Sequence, residues 1–214
     1  KAYTKQDVDI LAEKLIKDLE YSGLSYAYPK LEGIEIEKAN NLRSAGLGLL
    51  GNIIGDKKSA ACIEDTAVSL PDLANYIKDF TALMKGFNQE AIYYAHAGAG
   101  ELHLRPILNL KKSEDVVLFR KITTETAELV KKYKGSFSGE HGDGIVRESN
   151  YNILKRIKTA FDPDNIFNPG KIVDPFSMDT SLRYEIDRNE PEIETVLDFS
   201  SSLGILREAE KCNG

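Results

Sequence analysis

Apolar positions along this chain switch between two periods, and the switches mark its elements. Behind Thr4, a favourable helix cap, Val8, Leu11, Leu15 and Leu19 recur at helical spacing until Gly23. Residues 26–29 read as extended, because the residue before a proline avoids the helical region. A second helical pattern covers 34–54 and is interrupted by Gly46, Gly48 and Gly51, which weaken a helix. Residues 60–68 read as a strand. Ser69-Leu-Pro then opens a helix over 72–87, with Leu73, Tyr76, Ile77, Phe80 and Leu83 on one face. Strands follow at 91–95 and 102–108. A long helix spans 113–134, with Val116, Phe119, Ile122, Ala127 and Val130 apolar, and 135–139 is a short final strand or extended loop.

That β-α-β-β-α-β order predicts an α+β fold, a ferredoxin-like split-βαβ antiparallel sheet with its helices on one face. A C-terminal helical extension follows, with a helix over 151–161 that ends at Asp162-Pro163 and a turn-rich FNPGK. From Asp174 the chain turns polar and reads as a linker. The expected division is therefore a domain over 1–174 and a linker over 175–214.

Composition narrows the classes. The 214 residues are 42% apolar and 29% charged with net charge −6, as in a globular protein without a nucleic-acid-binding or anionic-membrane-binding block. No apolar run approaches the roughly 18–20 residues that span a bilayer. Two cysteines far apart, Cys62 and Cys212, form no disulfide framework. A start at Lys1 and a stop at Cys212-Asn-Gly read as a piece of a larger polypeptide.

The chemistry gathers in two glycine-rich runs. YYAHAGAGELHLRP holds His96 and His103, and SFSGEHGDGIVR holds His141, which accounts for all 3 histidines. Gly98 and Gly100 argue for a turn between His96 and His103, and a hairpin there would bring both rings to one point. Two imidazoles and one carboxylate with an open position make a catalytic divalent-metal site. Glu101 and Glu140 are the carboxylate candidates. Two satisfied polar histidines flanking a loop are the structural alternative. Glu140 and His141 are neighbours, so in extended backbone they face opposite sides, and one can bind metal while the other acts as general base. Arg43 and Arg105 are the anion-binding candidates, since a guanidinium holds a carboxylate through two parallel hydrogen bonds. Arg105 shares a strand face with His103, and Pro106 after it suggests an edge or a strand end. No Gly-x-Ser-x-Gly elbow and no phosphate-binding loop after a strand occurs.

Taken together, HAGAGELHLRP, SGEHGDGIVR and IKTAFDPDNIFNPGKIVDP resemble the C-terminal substrate domain of flavin-linked 2-hydroxy-acid oxidoreductases of the vanillyl-alcohol-oxidase type. That group contains glycolate oxidase large subunits, D-lactate dehydrogenases and D-2-hydroxyglutarate dehydrogenases. The resemblance spans about residues 42–174. It implies an FAD held mainly by a separate N-terminal domain, and a divalent metal, zinc in many relatives, bound by His96, His103 and Glu140. His141 would take the substrate hydroxyl proton as the α-hydrogen leaves as hydride. Arg43, in NNLRSAGLG, matches an arginine that holds a substrate carboxylate, and Asn168, in FNPGK, matches a residue that approaches the flavin, as does His141. The pattern HxGDGNxH of relatives is altered here, with Ala99 and Glu101 in place of the Asp and Asn. Arg105 stands where some D-2-hydroxyglutarate enzymes carry a polar amide.

The ending LDFSSSLGILREAEKCNG is similar to the junction of fused members, where such a cysteine begins an iron–sulfur domain. The implied parent carries flavin, cap and iron–sulfur modules in one chain and acts on a small 2-hydroxy acid. It would be cytoplasmic or peripheral to the inner membrane, as a single chain or a homo-oligomer. The competing classes are a non-catalytic metal-binding or interaction module and a freestanding metal-dependent hydrolase.

Overall fold

The computed structural model describes residues 3–140, 148–180 and 182–211. The chain divides into two compact units, 1–48 and 49–214. In the first, Thr4 starts α1 (Lys5–Ser22) through a capping box. Its hydroxyl accepts the Asp7 N–H at 3.1 Å and the Asp7 carboxylate accepts the Thr4 N–H at 3.0 Å. Gly23 closes the helix at φ +64°, the left-handed conformation that glycine adopts freely. Val8, Leu11 and Leu15 on α1 are exposed. The second helix, α2 (Ile34–Gly51), ends at its third glycine rather than at 54, where the Asn52 N–H turns back to the Leu49 carbonyl.

The second unit is an antiparallel sheet with helices, an α+β fold. Its strands are β1 (Lys58–Ser59), β2 (Ile63–Ala67), β3 (Ala91–His96) and β4 (Glu101–Leu108). Strand β4 is central. β3 lies along one side, with Ala91 opposite Pro106 and His96 opposite Glu101, while β1 and β2 share the other side. A single antiparallel bridge joins Ala67 to Ser136 beyond β2.

Pro106 lies inside β4 and marks neither an edge nor an end, contrary to the sequence reading. Of the expected 60–68 strand only 63–67 is strand, and a separate two-residue β1 precedes it. These corrections have one cause. The Ala60 N–H bonds the Pro106 carbonyl at 2.8 Å, so Pro106 faces that neighbour and, lacking an N–H, returns no bond to it. The ladder therefore lapses across residues 60–62.

Alternation along β4 separates a packed face from a polar one. Leu102, Leu104 and Leu108 join Ile63 in the core with Tyr76, Phe80 and Met84 of α3 (Leu73–Gly86) and Phe119, Ile122 and Val130 of α4 (Ser113–Lys132). Tyr76 and Phe80 are completely buried. Glu101, His103 and Arg105 occupy the opposite face of the strand.

After α5 (Glu148–Phe161) the chain returns to the start of α4. The Asp187 N–H bonds the Lys111 carbonyl at 2.7 Å, and the Lys111 ammonium meets Asp56 at 3.1 Å, Glu190 at 2.5 Å and Glu210 at 2.7 Å. Arg207, on α6 (Ile205–Ala209), closes this cluster on Asp56 at 2.8 Å. Several partly buried charges sharing partners hold a segment better than isolated surface pairs do.

Candidate metal centre

The polar face of β4 is assembled by the β3–β4 hairpin. A short 3-10 turn over Ala97–Ala99 and a left-handed Gly100 reverse the chain, placing His96 directly opposite Glu101 and Tyr94 opposite His103. The His96 and His103 rings meet edge to face at 5.3 Å. One ligand atom from each of His96, Glu101 and His103 falls within 4.8 Å of the others. His103 is buried, and its Nδ1 engages the Glu64 carbonyl. A ring whose Nδ1–H donates to a carbonyl presents Nε2 as a lone pair, the orientation that metal-ligating histidines adopt. Here Nε2 points to Glu101 Oε1 at 3.6 Å. That oxygen is buried and, among the described residues, makes no hydrogen bond. A buried carboxylate oxygen left without a donor is costly. A cation would satisfy it.

The other side of the site comes from an irregularity in β2. Ile63 stands opposite Leu104 and Thr66 opposite Leu102, so Glu64 and Asp65 together oppose the single residue His103. This bulge brings two consecutive carboxylates to one region of the sheet, where regular pairing would send them to opposite faces.

Asp65, with no exposed surface, ties the second glycine run to the sheet. Its oxygens accept the Glu140 N–H at 3.0 and 2.9 Å and the Ser138 hydroxyl at 2.9 Å, and its carbonyl accepts the Gly139 N–H at 2.7 Å. Glu140 thereby reaches the site, where Asp65, Glu101 and Glu140 bring one oxygen each within 4.8 Å of one another. Glu101 is common to both clusters. Burial raises its carboxyl above the usual range, and the neighbouring Asp65 and Glu140 raise it further.

Glu64 points to Arg105. Its carboxylate accepts Arg105 Nε at 2.8 Å, Arg105 Nη2, and the Tyr94 hydroxyl at 2.6 Å. Burial pushes Glu64 upward, but the hydrogen bonds from Arg105 and Tyr94 outweigh it and hold the carboxyl below its usual range. Burial, then the bond to Glu64, pushes the Tyr94 phenol up to about 12. Tyr94 stacks on His103 at 4.6 Å, and the guanidinium carbon of Arg105 lies 5.5 Å from the Tyr94 ring centre.

Arg43 lies on α2 in the first unit. Asn168 sits in a turn at φ +46°, shaped by the buried Asp162, which accepts the Ile166 and Phe167 N–H groups at 2.8 and 2.9 Å. His141 and Cys212 lie outside the described residues. Sequence reasoning missed Glu64, Asp65 and Tyr94. Two adjacent acids inside a largely apolar stretch were the available signal.

Residues 31–172 match the family model described as FAD linked oxidases, C-terminal domain. The chain belongs to that family. Within it, the chain is 40% identical over 173 residues to D-2-hydroxyglutarate dehydrogenase of Haemophilus influenzae, which covers 73% of this chain and 17% of the relative. It is 36% identical over 199 residues to D-2-hydroxyglutarate dehydrogenase of Pseudomonas putida, covering 86% of this chain and 19% of the relative. A D-lactate dehydrogenase of Archaeoglobus fulgidus is 32% identical over 127 residues, or 56% of this chain and 28% of that protein. The chain thus spans less than a fifth of the length of the first two relatives. Among the described residues, no helix is long and apolar enough to cross a membrane.

Proposed function

We propose that this chain is the substrate and metal cap of an FAD-dependent D-2-hydroxy-acid dehydrogenase, working within a longer polypeptide. The observation that carries the reading is the buried Glu101 oxygen, without a hydrogen bond among the described residues, that clusters with two histidines on one sheet face. Two imidazoles with nearby carboxylates suit a divalent cation of the zinc class. His96 and His103 would hold it together with Glu140, and Glu101 stands between them. The second unit supports a split-βαβ reading, with β2, β3, β4 and the Ser136 bridge in the expected order around two helices.

In this reading the bound metal supplies a Lewis acid and the flavin a two-electron acceptor. The protein does the rest. His141 takes the substrate's hydroxyl proton, Arg43 and Arg105 hold carboxylates, and Asn168 faces the flavin. Residues 1–174 form the cap, and 175–214 lead toward an iron–sulfur module that would begin at Cys212. The parent would be cytoplasmic.

Anaerobic mixing of the full-length protein with D-2-hydroxyglutarate, D-lactate, glycolate and L-2-hydroxyglutarate tests this. One D-acid is expected to bleach the flavin, with the effect abolished by chelation. Flavin that none of the four reduces would support a non-catalytic module instead.

Asp65 should matter through its hold on Glu140. Asp65→Asn replaces one of the two oxygens that accept the Glu140 N–H with an amide N–H₂. Metal affinity, read by titration with a competing chelator, should fall about 10–100-fold, as for other residues that orient ligands. Unchanged affinity would separate Glu140 from the metal.

A further inference from the structure

Arg105 is the cation beside the candidate metal ligands, and its direction is set from another strand. We infer that Glu64 is a positioning residue for substrate discrimination, acting through Arg105. This rests on the reading of Arg105 as a carboxylate-binding group.

A guanidinium has two edges able to grip a carboxylate, a side edge of Nε and Nη2 and an end edge of Nη1 and Nη2. Glu64 takes the side edge. None of these bonds falls on Nη1, which leaves the end edge for an incoming anion. Arginine on a mobile stem must lose side-chain entropy to hold a ligand. Here that loss is met before the ligand arrives, which favours a ligand matching the fixed direction over one that does not.

Two further contacts stiffen the arrangement. The Tyr94 hydroxyl donates to the same Glu64 carboxylate at 2.6 Å, and the Tyr94 ring stacks on His103 at 4.6 Å with planes 20° apart. Arg105, Glu64, Tyr94 and His103 are therefore one packed series. It links the cation that would hold a substrate's far carboxylate to a metal ligand. The separation along β4 is fixed by strand geometry, two residues or roughly 6.6–6.8 Å. A distal carboxylate placed to suit that spacing is recognised, and a substrate ending in a methyl group gains nothing from it.

Glu64 also lowers the cost of an idle site. Its charge offsets that of Arg105 while no substrate is bound, so discrimination comes from direction more than from bare attraction.

The test is a double-mutant cycle in the full-length protein with Glu64→Gln, Arg105→Ala and the double variant. Glutamine keeps the shape of glutamate and so spares the fold. The readout is the ratio of anaerobic flavin-reduction efficiencies for D-2-hydroxyglutarate over D-lactate. E64Q should lower that ratio about tenfold, the scale of one hydrogen bond to a charged group, and should lower it no further once Arg105 is alanine. An unchanged ratio in E64Q alongside a collapsed ratio in R105A overturns the role of Glu64 and leaves that of Arg105 intact. A further fall on adding E64Q to R105A shows that Glu64 acts independently, which also overturns the inference. An unchanged ratio in R105A removes Arg105 from substrate binding, and with it the premise.

Discussion

His103→Ala in the full-length protein should strip the divalent metal and lower turnover about a thousandfold, while flavin content stays as it was. The magnitude follows from the several kcal/mol that a Lewis acid contributes to a developing alkoxide, at one factor of ten per 1.36 kcal/mol. His103 is the most constrained of the candidate ligands. It is buried, its Nδ1 engages the Glu64 carbonyl, Tyr94 stacks on one side and His96 meets it edge-on. Alanine removes the donor lone pair and leaves that carbonyl without its partner. Metal analysis and flavin absorbance on the same sample separate the outcomes. Metal retained at full occupancy would show that His103 is no ligand, and turnover retained without metal would show that the cation has no part in the reaction.

Gly100→Ala should cost roughly 2–6 kcal/mol and disable the site with it. Gly100 adopts φ +75°, and a Cβ built there would lie 2.1 Å from the Val68 carbonyl oxygen. That atom is backbone, fixed in turn because the Val68 N–H bonds the Gly100 carbonyl at 3.0 Å. Left-handed strain in a non-glycine residue costs about 1–3 kcal/mol and a forced core contact a similar amount. Relief requires the hairpin to shift, which moves His96 on one side and Glu101 on the other. Gly98→Ala is the control. Nothing lies within 4 Å of its Cβ, so stability should change by less than about 0.5 kcal/mol. Denaturant unfolding of both variants decides the point, and equal midpoints would contradict the turn geometry.

Much of this architecture was legible because two periodicities were clean. The two-residue spacing put Arg105 on the strand face of His103, while Glu101, read as part of the loop, is the first residue of β4. The glycines between the histidines announced the turn. Other features depend on partners remote in sequence. Nothing in the run around Pro106 says that the strand continues through it, because the break it causes appears in a neighbour more than forty residues earlier. The α2 pattern overshot because apolar spacing continues past Gly51 although the backbone turns there. Asp65 was invisible as a site residue, since its partners Ser138 and Glu140 lie 73 and 75 positions away.

The bulge in β2 has a consequence for how this region tolerates change. Removing one residue between Ile63 and Thr66 would let the two strands pair without interruption, giving a more regular and, as a sheet, better-formed structure. Yet only one acid would then oppose His103, and either the grip on Arg105 or the tether to Glu140 would disappear. Redesign that scores backbone ideality would therefore favour erasing the site. Single-residue deletions in this strand should be tolerated by folding screens and rejected by screens for activity, a separation that point substitutions in the core will not reproduce.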